Sequence, residues 1–364
     1  MDSKVAMAKI ESRVALAPLT TLGVGGSAAH FARVEHETEL GDTLDWAKQR
    51  ALEVRVLGGG SNIVVADSGF PGLVIDLALR GVRIHNHGTY VEIRAAAGEP
   101  WDDFVATMVS RGYQGLECLS GIPGRVGATP IQNVGAYGQE VSESITQVTA
   151  LDTIKSTPRI FSADECQFSY RDSWFKSREP GRYIITEVTF RLRLHTAPSL
   201  RYVELERYFR EQGNPAPSLS RVREGVLQLR RAKSMVLDPS DPNSRSCGSF
   251  FVNPVLDPAQ FEAFSARTTG LDNVPLYPQA DGRTKLSAGW LIEQAGFPRG
   301  MRDGTVGLST KHALALVAYG SARSADVARF SGRIQAGVFE RFGVSLTPEP
   351  EFWGVERLSQ PTLA

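Results

Sequence analysis

The chain has 364 residues, of which 42% are hydrophobic and 22% charged, a composition typical of a folded protein with more than one domain. Its 40 Lys and Arg residues balance 40 Asp and Glu residues, so the basic surface of a nucleic-acid-binding protein is not expected. No stretch approaches the roughly 20 apolar residues of a membrane span, and the N-terminal residues lack the apolar core of a signal peptide.

The cysteines are few and far apart. There are three, an odd number, and they form no C-x-x-C pair, which argues against both a disulfide framework and a metal site. We therefore expect reduced, buried thiols, no metal, no membrane insertion and a cytoplasmic location. The residues concerned are Cys118, Cys166 and Cys247.

The first region of the chain alternates helix and strand signals. Apolar residues recur at helical spacing between Leu40 and Ala51 and predict a helix within residues 35–52. Short apolar runs after it predict strands. These runs lie at 54–57, 63–66 and 73–78.

The next region combines a strand, a helix and a long alternating strand. The segment 99–112 has Pro100 near its start, acids in its first turn and Gly112 at its end, all of which favour a helix. Alternation of apolar and polar residues predicts strands at 90–98 and 187–194.

A Pro-, Gly- and Ser-rich stretch at 213–220 is the best candidate for a domain boundary. Beyond it the pattern is α+β. Asp257 is placed as the N-cap of one helix, and Gly343 closes the last one. The helices predicted in this region cover 219–233, 257–267 and 324–343.

Two glycine-rich loops interrupt these elements. The first, "LGGGSN" at 57–62, follows a strand and exposes backbone N–H groups that could cradle a pyrophosphate. A dinucleotide fingerprint of the G-x-G-x-x-G kind would continue into a helix, whereas this loop continues into β-branched residues. A tight structural hairpin is the alternative interpretation of this motif alone.

The second loop, "GLECLSGIPGRVGATPIQNVGAYG" at 115–138, mixes glycine and proline with apolar residues and is therefore predicted to be ordered. Together the two loops could grip an extended dinucleotide. Gln132, Asn133 and the backbone of 121–128 could then contact a flat ring. The alternative is a long ordered surface loop without a ligand, although such loops are uncommon in compact domains.

Six motifs in order along the chain resemble one family. They are "LGGGSN", "GIPGRVGATPIQNVGAYG", "YRDSWFK", "GSFFVNP", "KLSAGWLIEQAG" and "LTPEPEFWG". Together they are similar to the UDP-N-acetylenolpyruvoylglucosamine reductases, which make UDP-N-acetylmuramate for peptidoglycan.

The resemblance implies an α+β fold in which an FAD-binding domain of the vanillyl-alcohol oxidase/p-cresol methylhydroxylase type, in two lobes, precedes an α+β substrate-binding domain. The C-terminal segment is expected to return to the active site and the FAD domain. The implied bounds are 17–217 for the FAD domain (lobes about 17–80 and 81–217), 218–345 for the substrate domain and 346–364 for the C-terminal segment.

The resemblance also implies a reaction. NADPH would reduce a bound FAD, and the FAD would pass hydride to the enolpyruvyl ether of UDP-N-acetyl-3-O-(1-carboxyvinyl)-glucosamine. Because neither loop offers a His and Cys118 precedes the turn, we expect non-covalent FAD. We also expect a monomer that binds the UDP-sugar and NADPH. The alternatives are another FAD oxidoreductase of this fold, or a non-catalytic protein that binds a nucleotide sugar or flavin.

Three residues match the catalytic positions of the family. Arg171 would brace the substrate carboxylate, although alone it would be read as an ion pair with Asp172. Ser249 would donate the proton to the carbanionic carbon, although a serine beside a glycine often only completes a turn. Cys247 is an alternative acid. Glu349, between two prolines, would assist in protonated form, the alternative being a solvated acid.

The resemblance also implies cofactor and substrate contacts. The substrate's diphosphate and sugar are assigned to Tyr202, Lys233 and Asn253, and His312 is added to the substrate contacts without a specific role. The FAD contacts are assigned to Gly58, Gly59, Gly60, Ser61, Asn62, Gly121, Gly124, Gly127, Ala128, Thr129, Gln132, Gly135 and Ile185.

Overall fold

A computed structural model describes residues 7–198 and 200–354. The described strands are β1 (Ile10–Ala15), β2 (Ser27–Val34), β3 (Val54–Leu57), β4 (Ile63–Val65), β5 (Phe70–Leu77), β6 (Val82–Asn86), β7 (Tyr90–Ala96), β8 (Gly135–Ala136), β9 (Gln139–Glu140), β10 (Ile145–Asp152), β11 (Thr157–Ser162), β12 (Tyr183–Arg193), β13 (Val255–Leu256), β14 (Leu276–Pro278), β15 (Thr284–Leu286), β16 (Arg302–Asp303), β17 (Val306–Leu308), β18 (Leu316–Ala318) and β19 (Glu351–Trp353). The described helices are α1 (Glu37–Lys48), α2 (Trp101–Ser110), α3 (Trp174–Ser177), α4 (Val203–Glu211), α5 (Leu219–Ala232), α6 (Pro258–Arg267), α7 (Ala288–Gln294) and α8 (Ser324–Phe342).

Contacts between residues divide the chain into two compact units. The first unit is built from the described residues within 1–14, 28–59 and 71–236. The second is built from those within 15–27, 60–70 and 237–364.

The first unit contains two sheets. One has the strand order β1-β2-β5-β3, and the other is the antiparallel sheet β11-β10-β12-β7-β6. The predicted alternation of β12 is confirmed on its apolar face, where Val188, Phe190 and Leu192 are fully buried. The predicted helices α1 and α2 are also confirmed, with acids in their first turns and apolar residues against the core.

Helix α5 belongs to the first unit, which differs from its predicted place after a boundary at 217–218. Its buried face holds Val222 and Val226, which pack in one cluster with Leu205 and Phe209 of α4. The helix therefore buries its apolar stripe against this unit, which continues to residue 236. The segments 15–27 and 60–70, predicted in the first lobe, cluster instead with the second unit.

The second unit contains two small antiparallel sheets, β13-β15-β14 and β16-β17-β18, with helices α6, α7 and α8. The Asp257 side chain caps α6 as predicted, accepting from the N–H of Gln260. Gly343 ends α8 with a φ of +68°, also as predicted, because this left-handed conformation is open to glycine. The predicted stripe of α8, from Val327 to Phe342, is buried.

The C-terminal segment forms a strand that the sequence analysis did not predict. β19 pairs in parallel with β4, so that Glu351 lies opposite Ile63 and Trp353 opposite Val65. β3 pairs instead with β5. The two strands flanking "LGGGSN" are therefore not partners, and the hairpin interpretation of that loop is wrong. Residues 355–364 of the predicted C-terminal segment lie outside the described residues.

Three further findings bear on function. Cys118, Cys166 and Cys247 are free and buried, as predicted. No helix in the described ranges has the length and hydropathy to cross a membrane. Within those ranges, no group of three His, Cys, Asp or Glu side chains is arranged to hold a metal ion.

Candidate functional site

In the first unit, the end of β3 lies directly against the second glycine loop. A Cβ added to Gly58 would come within 2.8 Å of the Ala128 Cβ, and one added to Gly59 within 2.9 Å of the Gly124 Cα. Gly59 also has a φ of +97°, a conformation that other residues rarely adopt. The structure thus brings these four predicted cofactor residues together, at a spacing that admits no side chain.

The backbone N–H groups of residues 58–60 donate no hydrogen bond to any described residue. Consecutive N–H groups of this kind are the feature by which backbone turns bind phosphate. Gly60 belongs to the second unit, where it packs against Leu19. A Cβ on Gly60 would lie 2.0 Å from the Leu19 carbonyl oxygen, so this position admits only glycine. The first glycine loop is therefore a rigid turn with available donors.

The turn at Val126–Ala128 is held by main-chain contacts with its surroundings. The N–H of Gly127 donates to the Ala97 carbonyl at 2.9 Å, and a Cβ on Gly127 would meet that of Ala97 at 2.5 Å. The Thr129 hydroxyl donates to the Val126 carbonyl at 2.8 Å. These predicted residues therefore shape the loop through the backbone.

A buried ion pair that the sequence analysis missed anchors this loop. Arg125 Nη1 lies 2.5 Å from an oxygen of Asp76, whose carboxylate also meets Arg33 at 3.2 Å. Asp76 is only 6% exposed. An acid inside the apolar run "LVIDLA" was the available signal, because a buried carboxylate requires a partner.

Three further predicted cofactor residues are not part of the contact between the two glycine loops: Gly121, Gln132 and Ile185. Gly121 has a φ of +73°, and its N–H donates to Asp102 at 2.6 Å. Gln132 is half-buried. Ile185 is 4% exposed and pairs with Ala150 within the five-stranded sheet. Their assignment to a cofactor stays a prediction.

The Asn133 side chain is hydrogen-bonded within the protein. Its Nδ2 donates to Glu140 at 2.7 Å and to the Ser169 carbonyl at 3.0 Å, while its Oδ1 accepts from the N–H of Ser142 at 3.1 Å. The side chain is 1% exposed. Its amide therefore ties the second loop to neighbouring segments, and those contacts leave little capacity for a ligand ring.

Arg171 lies beside the end of the same loop. Its Nη2 donates to the Gly135 carbonyl at 2.8 Å, and its own carbonyl accepts from Lys176 Nζ at 2.7 Å. Its φ is +57°, an uncommon conformation for a residue with a side chain. Asp172 accepts from Ser177 Oγ at 2.5 Å. The half-buried guanidinium is thus oriented by a backbone carbonyl.

Two predicted substrate residues of the first unit, Lys233 at the end of α5 and Tyr202 at the start of α4, both contact Tyr137. Lys233, which caps α5, donates from Nζ to a Glu204 oxygen at 2.5 Å and lies 5.7 Å from the Tyr137 ring centroid. Tyr137 makes an edge-to-face contact with Tyr202, their centroids 5.5 Å apart. Tyr202 remains 43% exposed. Sequence reasoning missed Tyr137 and Glu204.

In the second unit, two segments distant in sequence, those of Asn62 and Phe250, hydrogen-bond to the backbone of Glu349. Its backbone N–H donates to the Phe250 carbonyl at 2.8 Å, and its carbonyl accepts from Asn62 Nδ2 at 3.2 Å. The N–H of Glu351 donates to the Asn62 carbonyl at 2.9 Å. Glu349 therefore lies between the end of the first glycine loop and the strand-like segment that carries Ser249.

Ser249 follows Gly248, whose φ is +72°. The turn here is completed by another serine, because the N–H of Gly248 donates to Ser246 Oγ at 3.3 Å. The half-buried Ser249 hydroxyl makes no hydrogen bond to the described residues. The purely structural interpretation of Ser249 is therefore weakened.

Cys247, the alternative acid, is 7% exposed, and its Sγ lies 3.6 Å from the Ile63 carbonyl oxygen. Burial, with a smaller contribution from the negative charge of Glu349, raises the pKa of this thiol to about 12. A thiol with this pKa is a poorer proton donor than an ordinary cysteine.

We therefore expect Cys247→Ala to change neither flavin reduction nor flavin reoxidation by more than about twofold. Near pH 8 only about one thiol in ten thousand would be ionised at that pKa, so alkylation of the folded protein by iodoacetamide should be slow. Rapid-mixing spectroscopy measures the rates of flavin reduction and reoxidation, and mass spectrometry measures the extent of alkylation. Loss of flavin reoxidation alone in this variant would transfer the role of acid to Cys247.

The side chains of Asn253 and His312 in the second unit both accept hydrogen bonds from backbone N–H groups. Asn253 Oδ1 accepts from the N–H of Ala288 at the start of α7, at 2.9 Å. His312 Nδ1 accepts from the N–H of Leu314 at 3.0 Å, and the Leu314 carbonyl accepts from Phe250. Both side chains are therefore oriented by backbone groups, and their contact with substrate stays a prediction.

Comparison with known proteins gives matches over most of the chain. Residues 28–160 match the family described as FAD binding domain, and residues 239–353 match the family described as UDP-N-acetylenolpyruvoylglucosamine reductase, C-terminal domain. A UDP-N-acetylenolpyruvoylglucosamine reductase from Thermobifida fusca is 48% identical over 353 residues, covering 94% of this chain and 97% of that protein.

Solved structures agree with these matches. The crystal structure of UDP-N-acetylenolpyruvylglucosamine reductase from Thermus caldophilus is 26% identical with a TM-score of 0.65, covering 95% of this chain and 100% of that one. A solvent-stable cholesterol oxidase shares the fold with a TM-score of 0.50 at 12% identity, covering 96% of this chain and 88% of its own.

Proposed function

Because this chain belongs to the UDP-N-acetylenolpyruvoylglucosamine reductase family, we propose that Arg171, Ser249 and Glu349 carry out that family's chemistry here. The protein is an FAD-dependent reductase that uses NADPH to convert the enolpyruvyl ether of UDP-N-acetyl-3-O-(1-carboxyvinyl)-glucosamine to UDP-N-acetylmuramate in peptidoglycan synthesis. Its fold is α+β, with an FAD-binding domain of the vanillyl-alcohol oxidase type. The resemblance stated from the sequence is thereby confirmed.

The observation that carries the proposal is the close contact of Gly58 and Gly59 with Ala128 and Gly124 in the first unit. These residues fit FAD, because the backbone of 58–60 has N–H donors that no described residue uses and no Cβ could enter beside Gly59. We assign the pyrophosphate to this turn. FAD, when bound there, supplies the hydride obtained from NADPH.

Ser249 is assigned as the proton donor. Adding hydride to the terminal carbon of an enolpyruvyl group leaves negative charge on the adjacent carbon and its carboxylate. A serine can protonate such a strongly basic carbon if its hydroxyl is held against it. The hydroxyl of Ser249 has no described hydrogen-bond partner to compete for that proton.

Arg171 and Glu349 are assigned to the developing negative charge. A guanidinium can stabilise a carboxylate through paired hydrogen bonds. The Gly135 carbonyl that accepts from Arg171 Nη2 at 2.8 Å supports a pre-set orientation, which is worth most when charge develops only in the transition state. The backbone N–H and carbonyl of Glu349 are both hydrogen-bonded, to Phe250 and Asn62. These bonds fix the position of its backbone, which supports a role that depends on fixed position.

The diphosphate and sugar are assigned to Lys233, Tyr202 and Asn253, with His312 as a further contact. Lys233 supplies a point charge suited to a diphosphate. The support is positional: Lys233 and Tyr202 share contacts with Tyr137, and Asn253 lies four residues after Ser249. We also propose a cytoplasmic location, since NADPH and UDP-activated sugars are intracellular metabolites. The monomeric state stays a prediction.

The test of these assignments separates the two half-reactions. We expect Arg171→Lys to leave the rate of flavin reduction by NADPH within about twofold, and to slow flavin reoxidation by the enolpyruvyl nucleotide about a hundredfold, because a lysine cannot keep both the Gly135 contact and a paired carboxylate contact. Anaerobic rapid mixing measures both rates. Arg178→Lys, an exposed change on the same segment, is the control. Equal slowing of both half-reactions would refute the assignment.

A further inference from the structure

The ammonium of Lys233 already has a carboxylate partner within the protein. Its Nζ donates to Glu204 Oε2 at 2.5 Å, and both side chains are roughly a quarter exposed, at 29% and 26%. Glu204 lies in the first turn of α4, two residues after Tyr202. A half-buried ion pair of this length holds both groups more firmly than a pair on the surface would.

The surroundings of this pair are mainly cationic and aromatic. Burial raises the pKa of Tyr137; the positive charge of the half-buried Arg230, one turn before Lys233, opposes that rise, and the negative charge of Glu204 adds to it. Lys233 Nζ approaches the face of the Tyr137 ring, and Tyr202 contacts the edge of that ring. Among the groups described around Lys233, Glu204 is therefore the acid in direct contact with it.

We propose that Glu204 is a specificity-determining residue: it occupies Lys233 when no nucleotide is bound and competes with the substrate's diphosphate for that ammonium. The inference rests on the proposed assignment of Lys233 to the diphosphate. A diphosphate next to the Glu204 carboxylate would be repelled, so the carboxylate must withdraw or its repulsion must be overcome. Glu204 thereby weakens binding of every anion at Lys233, so that an ion held by Lys233 alone is excluded while a nucleotide with further contacts in the site still binds.

The chain offers a matched control on the same helix. Glu206 lies in the same first turn of α4, but it pairs with Arg210 at 2.9 Å on an exposed surface. Changing either glutamate to glutamine removes one negative charge from α4. A change in affinity that follows from net charge alone would therefore be the same in both variants.

The experiment is a calorimetric titration of the FAD-loaded protein with UDP as the probe. We expect Glu204→Gln to lower the Kd for UDP about tenfold, and Glu206→Gln to leave it within about twofold. In Glu204→Gln, chloride can reach Lys233 and compete with UDP. Raising the chloride concentration should therefore weaken UDP binding more in Glu204→Gln than in the unmodified protein.

Lys233→Met separates failure of this inference from failure of the proposed function. If Lys233→Met binds UDP as tightly as the unmodified protein, the assignment of Lys233 to the diphosphate is wrong. The inference is overturned if Lys233→Met weakens UDP binding and Glu204→Gln binds UDP no more tightly than the unmodified protein does. Glu204 would then orient Lys233 and would not compete for it. Should Glu204→Gln lose FAD, Glu204→Asp replaces it, with an expected Kd about threefold lower and an unchanged or higher Kd as the contrary result.

Discussion

Replacing Ser249 with alanine should leave reduction of the flavin by NADPH unchanged and slow its reoxidation by the enolpyruvyl nucleotide about a thousandfold. The physical reason is that only the second half-reaction needs a proton at carbon. The Ser249 hydroxyl is half-buried and has no hydrogen-bond partner among the described residues, so its removal breaks no described contact. Anaerobic stopped-flow absorbance of the flavin measures each half-reaction separately.

The matched control for that variant is Ser265→Ala. Ser265 lies on α6, where its exposed hydroxyl donates to the Phe261 carbonyl at 2.8 Å, and we expect both half-reactions to stay within about twofold. If Ser249→Ala slows both half-reactions by the same factor, Ser249 acts by supporting the structure. If it slows neither, another group donates the proton.

Gly59→Val should weaken FAD binding about a hundredfold or more, leaving the purified protein largely colourless. Valine at this position would need a φ of +97°, and its Cβ would lie 2.9 Å from the Gly124 Cα. The two glycine loops would then have to separate, which removes the cradle. The FAD-to-chain ratio after gel filtration, followed by titration with added FAD, measures the effect.

Gly88→Val controls for the strain of a positive φ alone. Gly88 has a φ of +87° in the same unit, but a Cβ there meets no atom within 4 Å. We expect this variant to lose some stability and to keep its FAD. A folded Gly59→Val protein that retained stoichiometric FAD would show that the two loops do not form the cofactor site.

Local signals predicted helices α1, α2, α5, α6 and α8, but not α3, α4 or α7. The Asp257 cap and the positive φ at Gly343 depend on residues close by in the sequence, so both could be predicted from it. The pairing of β19 with β4 was not predictable in the same way. It joins residues about four fifths of the chain length apart, and a three-residue strand has no periodicity of its own.

The place of α5 shows a second limit of sequence reasoning. Its apolar stripe indicates that it must pack against something, but the stripe does not say against what. The partner is the first unit, where Gly225 leaves room for the Phe209 ring at the crossing with α4. A Pro- and Gly-rich segment before the helix therefore marked a turn within a unit, and not a boundary between units.

The candidate site was predictable mainly through the family motifs. From its own neighbours, Arg171 would be assigned to an ion pair with Asp172, and Ser249 to a turn that Ser246 in fact completes. The sequence likewise did not indicate that the Asn133 amide bonds to Glu140 and Ser169 within the protein. Contacts such as those of Glu204 and Asp76 depend on tertiary packing, which the sequence does not display.

The most direct measurement is a crystal structure of the FAD-loaded protein with the enolpyruvyl nucleotide bound. Our account predicts that Ser249 Oγ lies within about 3.5 Å of the ether carbon that receives the proton, with no other acid at that distance. A structure in which a water molecule or Cys247 Sγ approaches that carbon, and the Ser249 hydroxyl points elsewhere, would contradict it.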